Sequence, residues 1–124
     1  MKFLSHYIWQ GPHNKVNDWL VKQMKKRGQA PDLFTPDGFV TAQMIVRATQ
    51  KAKGDQNVDA MIGGLEGWQF LAPKGRQRIR PQDHAMIQPM FQVRLVKGAN
   101  GKLQAKVLKT ISPGNVQPPV TPFH

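Results

Sequence analysis

The first apolar segment of the chain spans residues 2–9 and carries apolar residues on both of its alternating sets of positions. A strand that is apolar on both faces is typical of the centre of a covered sheet. Gly11 and Pro12 break the pattern, and Asn14 is suited to cap a following helix. The pattern therefore predicts a central strand, with neighbours on both sides, and then a helix.

The residues after Asn14 place apolar side chains three and four positions apart, which is the spacing of one helix face. We expect Trp19 to anchor this helix in the core. Gly28 is suited to end the helix, because glycine readily adopts the left-handed backbone of a helix C-terminus. The apolar face consists of Val16, Trp19, Leu20 and Met24.

A second helix is predicted to begin with Thr35 as its N-cap and Pro36 at its first position. From residue 39 to residue 52 its apolar positions go almost all the way round. We therefore expect this helix to lie between a sheet and other helices rather than on an open surface. Its narrow polar stripe consists of Gln43, Arg47, Gln50 and Lys51.

A third, short helix is predicted to follow Asn57, which can cap it, and to close at Gly67. Its apolar residues again repeat at helical spacing. The adjacent Gly63 and Gly64 favour close packing against a neighbouring helix over a phosphate-binding loop. The apolar stripe consists of Val58, Met61, Ile62 and Leu65.

The apolar period changes to two after Gly67, which indicates strands. Residues 76–80 form a short candidate strand, and residues 89–96 alternate as a half-buried strand does. Residues 99–101 predict a hairpin turn, and Leu103 begins the return strand. The order of elements predicts an α/β fold with three helices and a small sheet whose later strands are antiparallel.

Residues 112–124 form a proline-rich tail. Proline lacks an amide hydrogen, so this tail cannot join a central ladder and is expected to be extended or disordered. Residues 1–111 then constitute the folded unit. With 124 residues, of which 40% are hydrophobic, the chain can build one modest core but not two.

The net charge of +11 raises nucleic acid or an anionic membrane as partners. The basic residues are dispersed, however. Residues 25–27 form the densest cluster, which precedes Gly28, where the helix dipole favours cations. Arg76, Arg78 and Arg80 alternate along one face of a strand but lack interleaved aromatic residues. We therefore expect no specific nucleic-acid binding. The alternative function, should such binding occur, is that of a small basic nucleic-acid-binding protein.

No constellation of catalytic residues is present. The absence of cysteine excludes a disulfide framework, a thiolate metal site and a cysteine nucleophile. The histidines His6, His13, His84 and His124 share no metal-ligand spacing, and the adjacent Asp83 and His84 favour a hydrogen-bonded loop over a catalytic dyad. We expect no enzyme activity, no metal site and no cofactor.

The first residues carry a broken apolar stretch that does not resemble a secretory signal. No run approaches the roughly 18 consecutive apolar residues that a transmembrane helix requires. Neither a signal peptide nor a membrane span is therefore expected.

An ordered set of short motifs runs through most of the first 97 residues, and its order is more specific than any one motif. The motifs are Pro31 with Phe34, the helix from Pro36, residues 65–67, Phe70 with Pro73 and Gly75, residues 78–80, Asp83 with His84, and residues 88–91. The set resembles the C-terminal section of periplasmic solute-binding proteins of ABC transporters, in the branched-chain amino-acid family.

The resemblance implies a partial C-terminal lobe of a type I periplasmic-binding-protein fold. It implies the solute-binding component of an ABC importer for branched-chain or related hydrophobic amino acids, located in the periplasm and working with permease subunits. In that family the strand of residues 2–9 lies near the hinge, so most of the ligand site would precede residue 1. Exposed sheet edges would then favour self-association.

Two ligand contacts are implied by the same resemblance. Phe34 matches an aromatic residue at the mouth of the long helix, where it contacts the ligand side chain. Tyr7, on the hinge-side strand, is a weaker match. Core packing is an equal alternative for Phe34 and the favoured one for Tyr7.

Overall fold

One strand, three helices and five further strands make up the fold, in that order along the chain. The structure is a computed structural model that describes residues 1–54 and 56–122. The elements are β1 (Lys2–Ser5), α1 (Lys15–Lys26), α2 (Thr35–Lys51), α3 (Val58–Leu65), β2 (Gln69–Ala72), β3 (Gly75–Ile79), β4 (Met86–Ile87), β5 (Met90–Lys97) and β6 (Leu103–Ile111). The predicted α/β class and the three helices are confirmed.

The strands form two small sheets instead of the single sheet expected, with orders β1-β5-β6 and β2-β3-β4. Every pairing is antiparallel, as predicted for the later strands. The prediction that the first strand is central was wrong, because β1 pairs with β5 alone and lies at a sheet edge. Leu4 on this strand is 57% exposed, so no described residue covers most of its apolar side chain.

Asparagine caps begin two of the helices, as the sequence predicts. The Asn14 side chain accepts hydrogen bonds from the amides of Val16 and Asn17, both at 3.0 Å, and so begins α1. Asn57 accepts the amide of Ala60 at 3.2 Å and begins α3. The prediction that α1 ends near Gly28 is also confirmed, since this glycine follows the helix with a φ of 71°.

Helix α2 has an open apolar face, which contradicts the expectation that it is covered all round. Ile45 is 62% exposed and Val46 is 55% exposed. Two residues of the predicted polar stripe, by contrast, face neighbouring elements and are partly buried. Gln43 donates to the Leu71 carbonyl oxygen at 3.0 Å, and Arg47 donates to that of Gly64 at 3.2 Å. These bonds hold Gln43 against β2 and Arg47 against α3, whereas Gln50 and Lys51 are exposed.

Helix α2 and the strands β2 and β3 share a core that centres on Val40, Phe70, Ala72 and Ile79. Trp19 is not part of a core, since it is 54% exposed and only tilts against the Phe39 ring at 5.9 Å. The prediction that it anchors α1 was wrong. The buried positions of α1 belong to its neighbours Asn17 and Leu20, which rotate the Trp19 face toward solvent.

Helices α2 and α3 pack closely at Gly64. A Cβ atom on this glycine would lie 2.5 Å from the Cβ of Lys51, so only glycine fits without a shift. The expectation of close packing is confirmed for Gly64. Gly63 faces open space, with nothing within 4 Å of such an atom, so the expectation was wrong for this residue.

The predicted basic stripe on β3 contains two arginines rather than three. Arg76 and Arg78 are exposed, whereas Arg80 follows the strand and is only 4% exposed. Its guanidinium pairs with Asp83, which draws it inward. The strands β3, β5 and β6 match the predicted segments, and the short strands β2 and β4 were not predicted.

The tail from Ser112 joins neither sheet over its described part, residues 112–122, and contains one short turn at Pro113–Asn115. Phe123 and His124 lie outside the described residues. The division into residues 1–111 and 112–124 stays a prediction. Within the described residues, no helix combines the length and apolar character needed to cross a membrane.

Candidate ligand-binding site

Phe34 stands at the N-terminus of α2, where a hydrogen-bonded turn holds its backbone. The Asp32 carboxylate accepts from the amide of Phe34 at 3.0 Å, from the amide of Thr35 at 2.8 Å and from the Thr35 hydroxyl at 2.7 Å. In return, the Thr35 hydroxyl oxygen accepts the Asp32 amide at 3.0 Å. The Phe34 side chain is 73% exposed, so a fixed backbone presents an aromatic ring to solvent.

This turn differs from the predicted helix start by one residue. Phe34 is the N-cap of α2, and Thr35 is the first helical residue. The Thr35 hydroxyl makes its contacts with Asp32 instead of with the helix, which explains why the predicted cap was wrong. The hydrogen bonds from Thr35 and Phe34 lower the pKa of Asp32, which favours the ionised carboxylate that these donors require.

A chain of polar contacts lies beside the same helix end. The His6 Nε2 atom is 2.9 and 3.1 Å from the two carboxylate oxygens of Asp37, in the first turn of α2. The His6 Nδ1 atom is 3.0 Å from the Lys74 Nζ atom. Lys74 also donates to the Gln88 side-chain oxygen at 3.1 Å. We call these four residues the His6–Lys74 network.

Lys74 is the most buried member of this network, with 2% of its surface exposed. Burial disfavours its charged form, and the attraction of Asp37 offsets only part of this effect. The pKa of Lys74 is consequently lowered from 10.5 to about 8. The network therefore contains an ammonium group that gives up its proton more readily than an exposed lysine does.

Tyr7 lies in the interior, with 3% of its surface exposed. Its hydroxyl donates to the side-chain oxygen of Asn17 at 2.7 Å, and Asn17 in turn donates to the carbonyl oxygens of Trp9 and Pro12. Burial raises the pKa of Tyr7 above its ordinary value. The hydroxyl is thus committed to a bond that links the segment after β1 to α1.

The structure brings the two implied ligand contacts into very different environments, one on the surface and one in the interior. It also joins His6 to Asp37 and Lys74, a grouping that sequence reasoning missed. These residues are 31 and 68 positions from His6, so no spacing in the sequence could have indicated it. Lys74 follows Pro73 in a turn, where a lysine normally faces solvent.

A separate open groove of about 790 Å³ runs along α1. Lys25 covers one of its walls, with its ammonium 4.8 Å from the centre of the Trp9 ring. Neither Phe34 nor Tyr7 lines this groove. The expected ligand contacts and this groove are therefore different features of the molecule.

The match of the sequence to a known protein family identifies the family of this chain. A family model described as periplasmic binding protein matches residues 1–102, which is most of the chain. The chain belongs to this periplasmic binding protein family. The resemblance inferred from the ordered motifs is thereby confirmed. Among curated protein sequences, none matches the chain.

Solved periplasmic binding proteins share the fold. A branched-chain amino acid transporter protein of the ABC type from Rhodopseudomonas palustris CGA009 is 28% identical, with a TM-score of 0.89 over 100% of this chain and 34% of that chain. A solute-binding protein from Rhodopseudomonas palustris BisB5, in complex with 3,4-dihydroxybenzoic acid, is 20% identical, with a TM-score of 0.78 over 90% of this chain and 31% of that chain.

A leucine-, isoleucine-, valine-, threonine- and alanine-binding protein from Brucella ovis is 17% identical, with a TM-score of 0.77 over 96% of this chain and 33% of that chain. The likeness to this protein and to the BisB5 protein shows the fold alone. The present chain spans about a third of the length of these solved proteins. Its helices and small sheets match part of the periplasmic-binding-protein fold, and this family consists of solute-binding proteins of ABC transporters, not enzymes.

Proposed function

We propose that this chain is part of the solute-binding component of an ABC importer for branched-chain or related hydrophobic amino acids. The observation that carries this proposal is the exposed Phe34 ring, held at the start of α2 by the Asp32 turn. An aromatic surface fixed in this way suits an aliphatic side chain, because burial of apolar surface is favourable and a fixed backbone lowers the entropic cost of binding.

The proposed protein works in the periplasm and presents its ligand to ABC permease subunits. In this mechanism two lobes close over the ligand, and the ligand stabilises the closed state by binding it more tightly than the open state. Phe34 is the proposed wall for the ligand side chain. Tyr7 is the second proposed contact, and its hydroxyl would first have to leave Asn17.

The size of the ligand sets what this chain can contribute. The best small ligands gain at most about 1.5 kcal/mol for each heavy atom. Micromolar affinity, near −8 kcal/mol, requires contacts over most of the surface of an amino acid. Phe34 supplies one apolar wall, so the 124-residue chain alone is expected to bind leucine too weakly for calorimetry to resolve.

Calorimetry on the full-length protein tests the proposal. The full-length protein consists of these residues together with the further length that the solved relatives have. We expect leucine or valine to bind with micromolar or better affinity. Phe34→Ala should weaken binding by roughly 1–3 kcal/mol, as loss of a buried aromatic contact does. Phe3→Ala removes a partly exposed phenylalanine from β1 and is the matched control, with affinity expected to stay unchanged.

Two results would contradict this assignment of the site: tight binding by the 124-residue chain alone, or a full-length protein indifferent to Phe34→Ala. Titration with 3,4-dihydroxybenzoic acid distinguishes the ligand classes, because the BisB5 protein is solved with that compound. A preference for the aromatic acid would replace the amino-acid assignment.

The alternative function, a basic nucleic-acid-binding protein, would require binding to DNA or RNA that depends on sequence and survives moderate salt.

A further inference from the structure

Helix α2 presents an uncharged face to solvent. Residues three and four positions apart lie on the same side of a helix, and those on the open side of α2 are all exposed. We call this side the outer face of α2, and it consists of Gly38, Thr41, Ala42, Ile45, Val46 and Thr49. A Cβ atom on Gly38 would meet no described atom within 4 Å apart from the backbone of its own helix. The face is therefore uncovered along its length.

The three charged residues of α2 lie on its other side and contact neighbouring elements. The Asp37 carboxylate is 2.9 Å from the His6 Nε2 atom, and Arg47 donates to the Gly64 carbonyl oxygen at 3.2 Å. The Cβ atom of Lys51 lies where it would meet a Cβ on Gly64 at 2.5 Å. A helix at an open surface normally turns its charged residues to solvent. The outer face of α2 has none, which is typical of a buried surface.

The two threonines of the outer face need no hydrogen-bond partner from outside the helix. The Thr41 hydroxyl donates to the Asp37 carbonyl oxygen at 2.8 Å, and the Thr49 hydroxyl donates to that of Ile45 at 2.9 Å. Bonds of this kind satisfy the hydroxyl within the helix itself. The outer face can therefore be buried against an apolar surface without leaving a polar group unpaired.

We propose that the outer face of α2 is an interface, and that in the full-length protein it is covered by an apolar element from the further length that the solved relatives have. The whole of this chain matches the protein from Rhodopseudomonas palustris CGA009 but covers only 34% of that protein. About two thirds of such a protein lies outside this chain, which supplies the length needed for a covering element. Burial of Ile45 and Val46 under it is favourable, because apolar surface leaves water.

A second copy of the chain is a poorer occupant, because the outer face is small. A helix rises about 1.5 Å for each residue and is about 10 Å across, so residues 38–49 offer a strip of roughly 200 Å². A specific interface between separate chains buries about 800 Å² on each partner. A covering element of the same polypeptide needs less area, since the chain itself holds it near the face.

Thiol labelling tests the proposal, and the 124-residue chain suits this method because it contains no cysteine. In this chain, Ile45→Cys should react with a soluble thiol reagent as fast as an exposed thiol does. In the full-length protein, with any other cysteines replaced, the same variant should react roughly tenfold more slowly or less, as a site that opens rarely does. Lys102→Cys, in an exposed turn, is the matched control and should react equally fast in both proteins. Equal rates for Ile45→Cys in the two proteins would overturn the proposal.

Ile45→Lys provides a readout that does not depend on labelling. In the 124-residue chain the new ammonium stays in solvent, so the urea midpoint should not change. In the full-length protein the ammonium would be buried without a partner, which should lower the midpoint by roughly 1 M or more. Val120→Lys adds the same charge to the exposed tail and should leave both midpoints unchanged. A full-length protein indifferent to Ile45→Lys would overturn the proposal.

The dependence on concentration separates the two occupants. In the full-length protein, we expect the thiol of Ile45→Cys to be protected at every concentration. If it is instead reactive there and becomes protected in the 124-residue chain as the concentration rises, the face belongs to a second copy, and the proposal is overturned. None of these measurements uses leucine, so their outcome is independent of the proposed function.

Discussion

The Arg80 guanidinium and the Asp83 carboxylate form a two-point ion pair, with nitrogen–oxygen distances of 2.8 and 2.6 Å. The guanidinium also donates to the carbonyl oxygens of Pro118 and Pro119, and the carboxylate accepts the amide of Thr121. Since both side chains are largely withdrawn from solvent, this pair fixes the tail against the segment that follows β3.

The Arg80–Asp83 pair predicts a loss of stability in acid. The guanidinium, together with the amides of Thr121 and Ala85, holds the pKa of Asp83 well below its ordinary value of 3.8. The carboxylate is therefore ionised in the folded chain at a pH where the unfolded chain has begun to bind a proton. Its stabilisation is present above about pH 3.8 and is lost as the pH falls below that value.

Asp83→Asn tests this dependence through urea unfolding between pH 2.5 and 7. The variant should be less stable than the wild type at pH 7, and the difference should shrink as the pH falls through the acid range. Asp18→Asn, on the exposed surface of α1, is the matched control and should leave the profile unchanged. A difference that is the same at every pH would contradict the prediction.

Lys74 predicts a gain of stability in alkali. Because its pKa is about 8 in the folded chain and 10.5 when unperturbed, the unfolded chain binds this proton more tightly. The free energy of unfolding should therefore rise between about pH 8 and 10.5, by at most about 3 kcal/mol at 1.36 kcal/mol for each unit. Lys74→Met should flatten this rise, measured by urea unfolding across the same range, and Lys102→Met, in an exposed turn, should not.

The contact at Gly64 predicts opposite effects of alanine at two adjacent positions. Gly64→Ala should destabilise the chain by about 1–3 kcal/mol, because its Cβ would press on Lys51. Gly63→Ala should stabilise it by about 0.5–1 kcal/mol, because the site is open and alanine favours the helix. Thermal unfolding of the pair measures both effects, and equal changes in the two variants would refute the packing argument.

The edge strand β1 predicts self-association of the 124-residue chain. Its outer edge has no partner in either sheet of the described residues, and Leu4 is 57% exposed. A second copy can pair with such an edge. Light scattering should show concentration-dependent dimers or larger species, and Leu4→Lys should reduce them. Val120→Lys, in the exposed tail, is the control. A wild-type chain that remains monomeric at high concentration would contradict this prediction.

Local signals in the sequence predicted the helix starts at Asn14 and Asn57 and the segments of β3, β5 and β6. These features depend on neighbouring residues, since a cap bonds to amides two or three positions away and a strand alternates with a period of two. The ordered motifs likewise sufficed to place the chain in its family. The exposure of Trp19 could not be predicted, because periodicity defines a face but not which part of it is covered.

By itself, then, the sequence determined the three helices, the strands β1, β3, β5 and β6, the order of these elements and the family of this protein. The tertiary structure decided which surfaces are covered and which are open. Strand β1 lies at a sheet edge, Tyr7 is buried with its hydroxyl bonded to Asn17, and Phe34 is exposed. It alone joined His6 to Lys74, across 68 positions of the chain. The physical reason is that burial and long-range hydrogen bonds depend on how segments pack, and this packing leaves no periodic signal in the sequence of either segment.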